Sequence, residues 1–176
     1  RLPPTLRSRC LRADCRLPDS DQAKDWLTGQ GIPVDEVPRL LALAGGAPLA
    51  AKTLAESGFL KQQQALITDL QALLENKADP VACAARWKQQ GGERCLLWLQ
   101  GWLADLIRVN LVPDGRNLSN SGEQARLHAQ QKRLHLNQIF SVADRVGHNH
   151  RLAGGSLDEH LLLEDTLIRW TELHKR

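Results

Sequence analysis

Residues 96–107 constrain this chain more than any other stretch. Leu96, Leu99, Leu103, Leu106 and Ile107 recur at helical spacing on one side, with Trp98 and Trp102 one turn apart on another. A helix that is apolar around so much of its circumference must lie at the centre of a bundle or against a neighbouring chain. Trp98 and Trp102 read first as core residues. Tryptophan is also a common interface anchor, so that second role stays open.

The rest of the chain supplies the helices that such a segment needs. Leu66, Ile67, Leu70, Leu73 and Leu74 predict one helix before it, and a second is expected over about 79–90. The Pro/Asp/Gly/Asn/Ser-rich stretch 113–122 reads as a loop. Helices over roughly 122–135 and 136–150 follow. Gly154-Gly155-Ser156 is expected to cap a last helix with Leu157, Leu161 and Ile168 on its principal face and Leu163, Leu167 and Trp170 on its flank.

Upstream of Gly58 the segments are shorter. Trp26 and Leu27 anchor one helix, begun by an N-cap at Asp19 or Ser20. Val37, Leu40, Leu41 and Ala44 mark another, ended by Gly45-Gly46, and Pro48 opens a third. Before these, Pro3 and Pro4 predict a loop, and residues 12–17 show a weak two-residue alternation that reads as a strand. The expected fold is mainly α.

With 176 residues, 42% hydrophobic and 24% charged, the chain suits one ordinary domain or two small ones. It holds no apolar run long enough to span a membrane, and its arginine-rich start lacks the apolar segment of a signal peptide. It begins at Arg1 and contains no methionine, so a piece of a longer protein is expected. Cys10, Cys15, Cys83 and Cys95 form no CxxC pair, and no histidine falls at zinc-finger spacing. Reduced cysteines and a cytoplasmic location are the expectation.

The net charge of +3 is uneven. Arg1, Arg7, Arg9, Arg12 and Arg16 crowd the first sixteen residues against Asp14 alone, leaving 18 bases against 19 acids elsewhere. That balance excludes a broad nucleic-acid-binding surface.

The informative motif is Ser8-Arg9-Cys10, approached by Leu2-Pro3-Pro4-Thr5. Here the chain resembles the clamp-loader branch of the AAA+ ATPases, to which the loader of bacterial DNA polymerase III belongs. In that family a Ser-Arg-Cys motif lies just before the last strand of the nucleotide-binding core. A helical lid and then a helical collar follow. The resemblance implies three parts: 1–17 as the tail of the core, with a remnant strand; 18–57 as the lid; and 58–176 as the collar that holds the ring together.

It also implies that Arg9 is an arginine finger, reaching in trans to ATP on a neighbouring subunit, with Ser8 and Cys10 shaping its turn. Phosphoryl transfer builds charge on the γ-phosphate oxygens, and a planar, permanently charged guanidinium can hold two of them. Leu49 stands in Gly45-Gly46-Ala47-Pro48-Leu49-Ala50, where an ATP-binding relative would carry a sensor arginine. A leucine cannot bind phosphate. The implied protein is therefore a stator-like subunit that offers a finger and has no working ATP site here. Its implied partners are the ATP-hydrolysing γ/τ subunits and the clamp-opening δ subunit of a hetero-pentamer. Through the complex it would act on the sliding clamp and primer–template DNA. Two alternatives remain open: an ATP-competent γ/τ-type subunit, and a helical scaffold or adaptor unconnected with ATP.

Other candidates carry less. His148-Asn149-His150, with His128, His135 and His160, read as polar surface residues and not as a metal site. Arg126, Lys132, Arg133, Arg145 and Arg151 could face DNA but read better as a solvated or subunit-facing surface without aromatic interleaving. No P-loop, GxSxG or HExxH motif is present, and no cofactor is called for.

Overall fold

The computed structural model describes residues 3–10, 16–112 and 118–173. They form α-helices: α1 (Pro4–Arg7), α2 (Ser20–Gly29), α3 (Val37–Leu43), α4 (Pro48–Glu56), α5 (Phe59–Leu74), α6 (Pro80–Gln89), α7 (Gly92–Leu111), α8 (Gln124–Gln131), α9 (Leu136–Leu152) and α10 (Glu159–Thr171). A single 3-10 turn spans Ser121–Glu123. The mainly α reading holds.

Buried apolar residues fall into two clusters. The smaller joins α2, α3 and α4 through Ala23, Leu27, Ile32, Val37, Leu40 and Ala51. The larger draws on α5 to α10 and is centred on α7, whose Leu96, Leu99, Trp102, Leu103 and Leu106 are fully buried. α7 packs along α9 and also meets α6, α8 and α10. The apolar circumference read from the sequence is thus used by helices of this chain.

Trp98 and Trp102 are core residues. Trp98 stacks tilted on Trp102 with centroids 5.5 Å apart and meets Trp87 edge-on at 6.3 Å, each contact worth about 0.5–1.5 kcal/mol beyond area burial. Each buried indole N–H has an acceptor: Trp87 donates to Asp69, Trp98 to Asn120, Trp102 to Gln130 and Trp170 to the Leu70 carbonyl.

Helix boundaries follow local chemistry. Gly58, at φ +66°, takes the left-handed conformation that breaks α4 from α5. Asp79 caps α6 by accepting from the amides of Val81 and Ala82, with Pro80 in the first turn.

Three expectations need correction. Pro3 and Pro4 do not keep the start in a loop, because Pro4 opens α1 at the first helical position, where its missing N–H costs nothing. Gly154-Gly155-Ser156 does not cap α10; Asp158 does, accepting from the His160 amide at 2.9 Å. The expected principal face of α10 is the exposed one. Leu157, Leu161 and Ile168 face out, while Leu162, Leu163, Thr166, Leu167 and Trp170 pack inward. The strand expected over 12–17 lies mostly outside the described residues, and Arg16 and Leu17 belong to no regular element.

Candidate functional site: the Ser8–Arg9–Cys10 turn and the polar seam behind it

The turn is made by its own short helix. The Arg9 amide donates to the Leu6 carbonyl at 3.1 Å, and Ser8 Oγ donates to the Thr5 carbonyl at 3.1 Å, satisfying an acceptor that α1 leaves open. Ser8, Arg9 and Cys10 are all exposed. No carboxylate among the described residues pairs with the Arg9 guanidinium, so a permanent positive charge stands at the end of a hydrogen-bonded turn.

Leu49 sits in the first turn of α4, 71% exposed. It shares an apolar shelf with Pro18, Ala23, Trp26 and Pro48. Lys52, one turn on, bonds Gln30 at 2.8 Å and lies 5.9 Å over the ring of Trp26, which lines the same shelf. The residues of this first turn, Pro48 to Ala51, carry no cation themselves.

A polar seam that the sequence did not reveal joins the two apolar clusters. Asp105, fully buried on α7, accepts from the Ser119 amide, from both the amide and the side chain of Asn120, and from Arg108. Asn120 Oδ1 accepts in turn from Gln63 and Trp98. From α3, Arg39 reaches across to Glu123 at 3.3 Å, and Gln64 donates to the same carboxylate at 2.6 Å. Arg39 packs against Gly122, where a Cβ would come within 2.8 Å of its Nε. The available signal was Asp105 itself, a lone acid in an apolar run.

The described histidines form no metal-holding group. Asn149, between His148 and His150, is the buried member, donating to the Leu162 carbonyl, Asp165 and Thr166. Among the described residues no cluster of three or more His, Cys, Asp or Glu is placed to hold a metal. The bases of 126–151 are largely engaged: Arg126 pairs with Glu123, Arg133 with Glu75 and Arg145 with Asp165. Cys83 and Cys95 are buried free thiols. Burial pushes Cys95 up to about 11 and raises Cys83 as well, so neither is a nucleophile at neutral pH. Among the described residues, no helix is long and apolar enough to cross a membrane.

Comparison with known proteins decides the family. Residues 57–172 match the family model described as DNA polymerase III, delta subunit, C terminal. The chain belongs to this family. The matched residues take in α5 to α10, so the family's domain here is the α7-centred bundle. The chain is also 25% identical, over 98% of its length, to DNA polymerase III subunit delta′ of Pseudomonas aeruginosa. That alignment reaches back through the Ser8–Arg9–Cys10 turn and covers 54% of the relative, so the chain spans about half the length of the curated protein it matches.

Proposed function

We propose that these residues form the C-terminal part of a δ′-type subunit of a bacterial DNA polymerase III clamp loader, and that Arg9 is its arginine finger. In this reading residues 1–17 end the AAA+ core, 18–57 form the lid and 58–176 form the collar. The subunit works in the cytoplasm in a hetero-pentamer with γ/τ and δ. It acts as a stator while the complex opens the sliding clamp and loads it on primed DNA.

The observation that carries the reading is the order of parts. An exposed arginine on a Ser-Arg-Cys turn, paired with no carboxylate among the described residues, precedes a three-helix cluster and then the delta-family bundle. The guanidinium's fork suits the equatorial oxygens of a γ-phosphate in transfer, and lysine's point charge does not. Leu49 and the apolar start of α4 support a subunit that hydrolyses no ATP itself. Arg126, Arg133 and Arg145 each lie within 4.0 Å of a carboxylate, which lowers the net positive field of that stretch.

Reconstitution tests it. Full-length protein mixed with purified γ/τ and δ subunits should co-elute as one complex that loads the clamp on primed DNA. A full-length protein that stays apart from both subunits in gel filtration would defeat the proposal.

A further inference from the structure

A cleft of about 270 Å³ opens between α5 and α8. Ile67 and Leu74 of α5, both buried, make its apolar floor. Ala125 and Ala129, one turn apart on α8, make the facing wall, where longer side chains would fill the space. Pockets that take drug-sized ligands run from about 300 to 1,000 Å³, so this one suits an occupant of amino-acid size.

Two side-chain donors in the cleft make no hydrogen bond among the described residues. The first is the amide of Gln130, a residue only 9% exposed, whose Oε1 accepts from the Trp102 indole at 2.9 Å. An indole N–H can only donate, which fixes the orientation of the amide and leaves the Gln130 NH₂ on the side of the cleft. A donor buried this deeply normally has an acceptor, and the cleft has room for one.

The second donor is Arg133. Its backbone amide donates to the Gln130 carbonyl at 2.9 Å, which holds the two residues one turn apart at the end of α8. Its guanidinium lies 4.0 Å from Glu75, beyond hydrogen-bonding distance. Lys77 holds that carboxylate more closely, at 2.7 Å, and Gln71 donates to it as well. Arg126, also in the cleft wall, is occupied by Gln64 and Glu123.

An open amide NH₂ and an open guanidinium fork thus stand beside an apolar floor. A carboxylate accepts from both, and its two oxygens match the arginine fork. A cationic ligand would meet only donors there, and an uncharged hydrocarbon would leave both donors without an acceptor. We propose that this cleft binds a carboxylate carried on an apolar body of amino-acid size, the carboxylate on Gln130 and Arg133 and the body on Ile67 and Leu74. A free apolar carboxylic acid and the apolar C-terminal residue of a peptide share this chemistry. The site is independent of the clamp-loader reading, and its test needs no partner subunit.

Isotope-labelled full-length protein titrated with N-acetyl-leucine reads the site directly. Saturable binding in the millimolar range or tighter should shift the Trp102 indole N–H resonance, because Gln130 is its acceptor. N-acetyl-leucinamide, the same body without the charge, should bind roughly tenfold more weakly. Arg133→Gln, at an exposed position, and Ala129→Leu, which fills the cleft, should each weaken N-acetyl-leucine binding roughly tenfold with the melting temperature retained. A short peptide ending in a free leucine carboxylate separates the sources. Binding at least as tight as that of N-acetyl-leucine supports a chain end, and weaker binding supports a free acid. No saturable shift of the Trp102 resonance with either probe would overturn the proposal, as would equal affinity for acid and amide or wild-type affinity in both variants.

Discussion

At the scale of single residues, Asp105 organises the most. Its carboxylate is wholly buried, and its acceptor capacity is spent on two backbone amides, the Asn120 side chain and Arg108. Asp105→Asn keeps the size but turns an NH₂ towards donors. It should cost about 2–3 kcal/mol, because hydrogen bonds to a charged acceptor are lost and buried donors are left facing a donor, read as a lower urea midpoint. Cys95 gives a pH signature. Its thiol is raised from the ordinary 9.0 to about 11, first by burial. The folded state therefore holds its proton where the unfolded state has lost it. Stability from this group is intact below pH 9 and falls as pH rises towards 11, measurable as a declining urea midpoint that Cys95→Ala flattens. Neither residue's role could be read from residue type alone. Asp105 needs the 118–123 turn folded over it, a contact fourteen or more residues away in sequence.

At the scale of elements, the sequence marked most helices well because glycine and proline punctuate them. The break at Gly58, the start at Pro48 and the end at Gly45-Gly46 are all where local chemistry puts them. It failed where two faces compete. α10 carries apolar residues around most of its surface, and what selects Leu163, Leu167 and Trp170 is the flanking of that side by α5, α6 and α9. Periodicity cannot see that neighbourhood. The Arg39–Glu123 bridge was equally hidden, joining residues 84 apart in sequence. Arg39 holds α3 to the 3-10 turn at the edge of the bundle, so Arg39→Met should loosen α2 to α4. Amide exchange there should rise roughly tenfold, equivalent to about 1.4 kcal/mol, while the α7 core stays protected. Equal exchange in both proteins would mean that the apolar contacts alone hold the small cluster in place.

At the scale of the whole molecule, a helical bundle of the delta family lies behind a three-helix cluster, and an exposed arginine stands ahead of both. The resemblance in the first third of the sequence rests on Ser8-Arg9-Cys10, its approach Leu2-Pro3-Pro4-Thr5, the segment Gly45-Gly46-Ala47-Pro48-Leu49-Ala50, and their order. The bundle has no such motif, and only its helical pattern was readable. Among the described residues the bundle holds no metal-ligating cluster, and the claim with most at stake is the proposal that Arg9 acts on a neighbour's ATP. The direct measurement is single-turnover hydrolysis at the adjacent ATP site of the reconstituted complex, with clamp and primed DNA present. Arg9→Ala should leave assembly intact and slow that site by about 10³-fold or more, with Arg9→Lys failing to rescue it. Wild-type turnover in the Arg9→Ala complex would contradict the account.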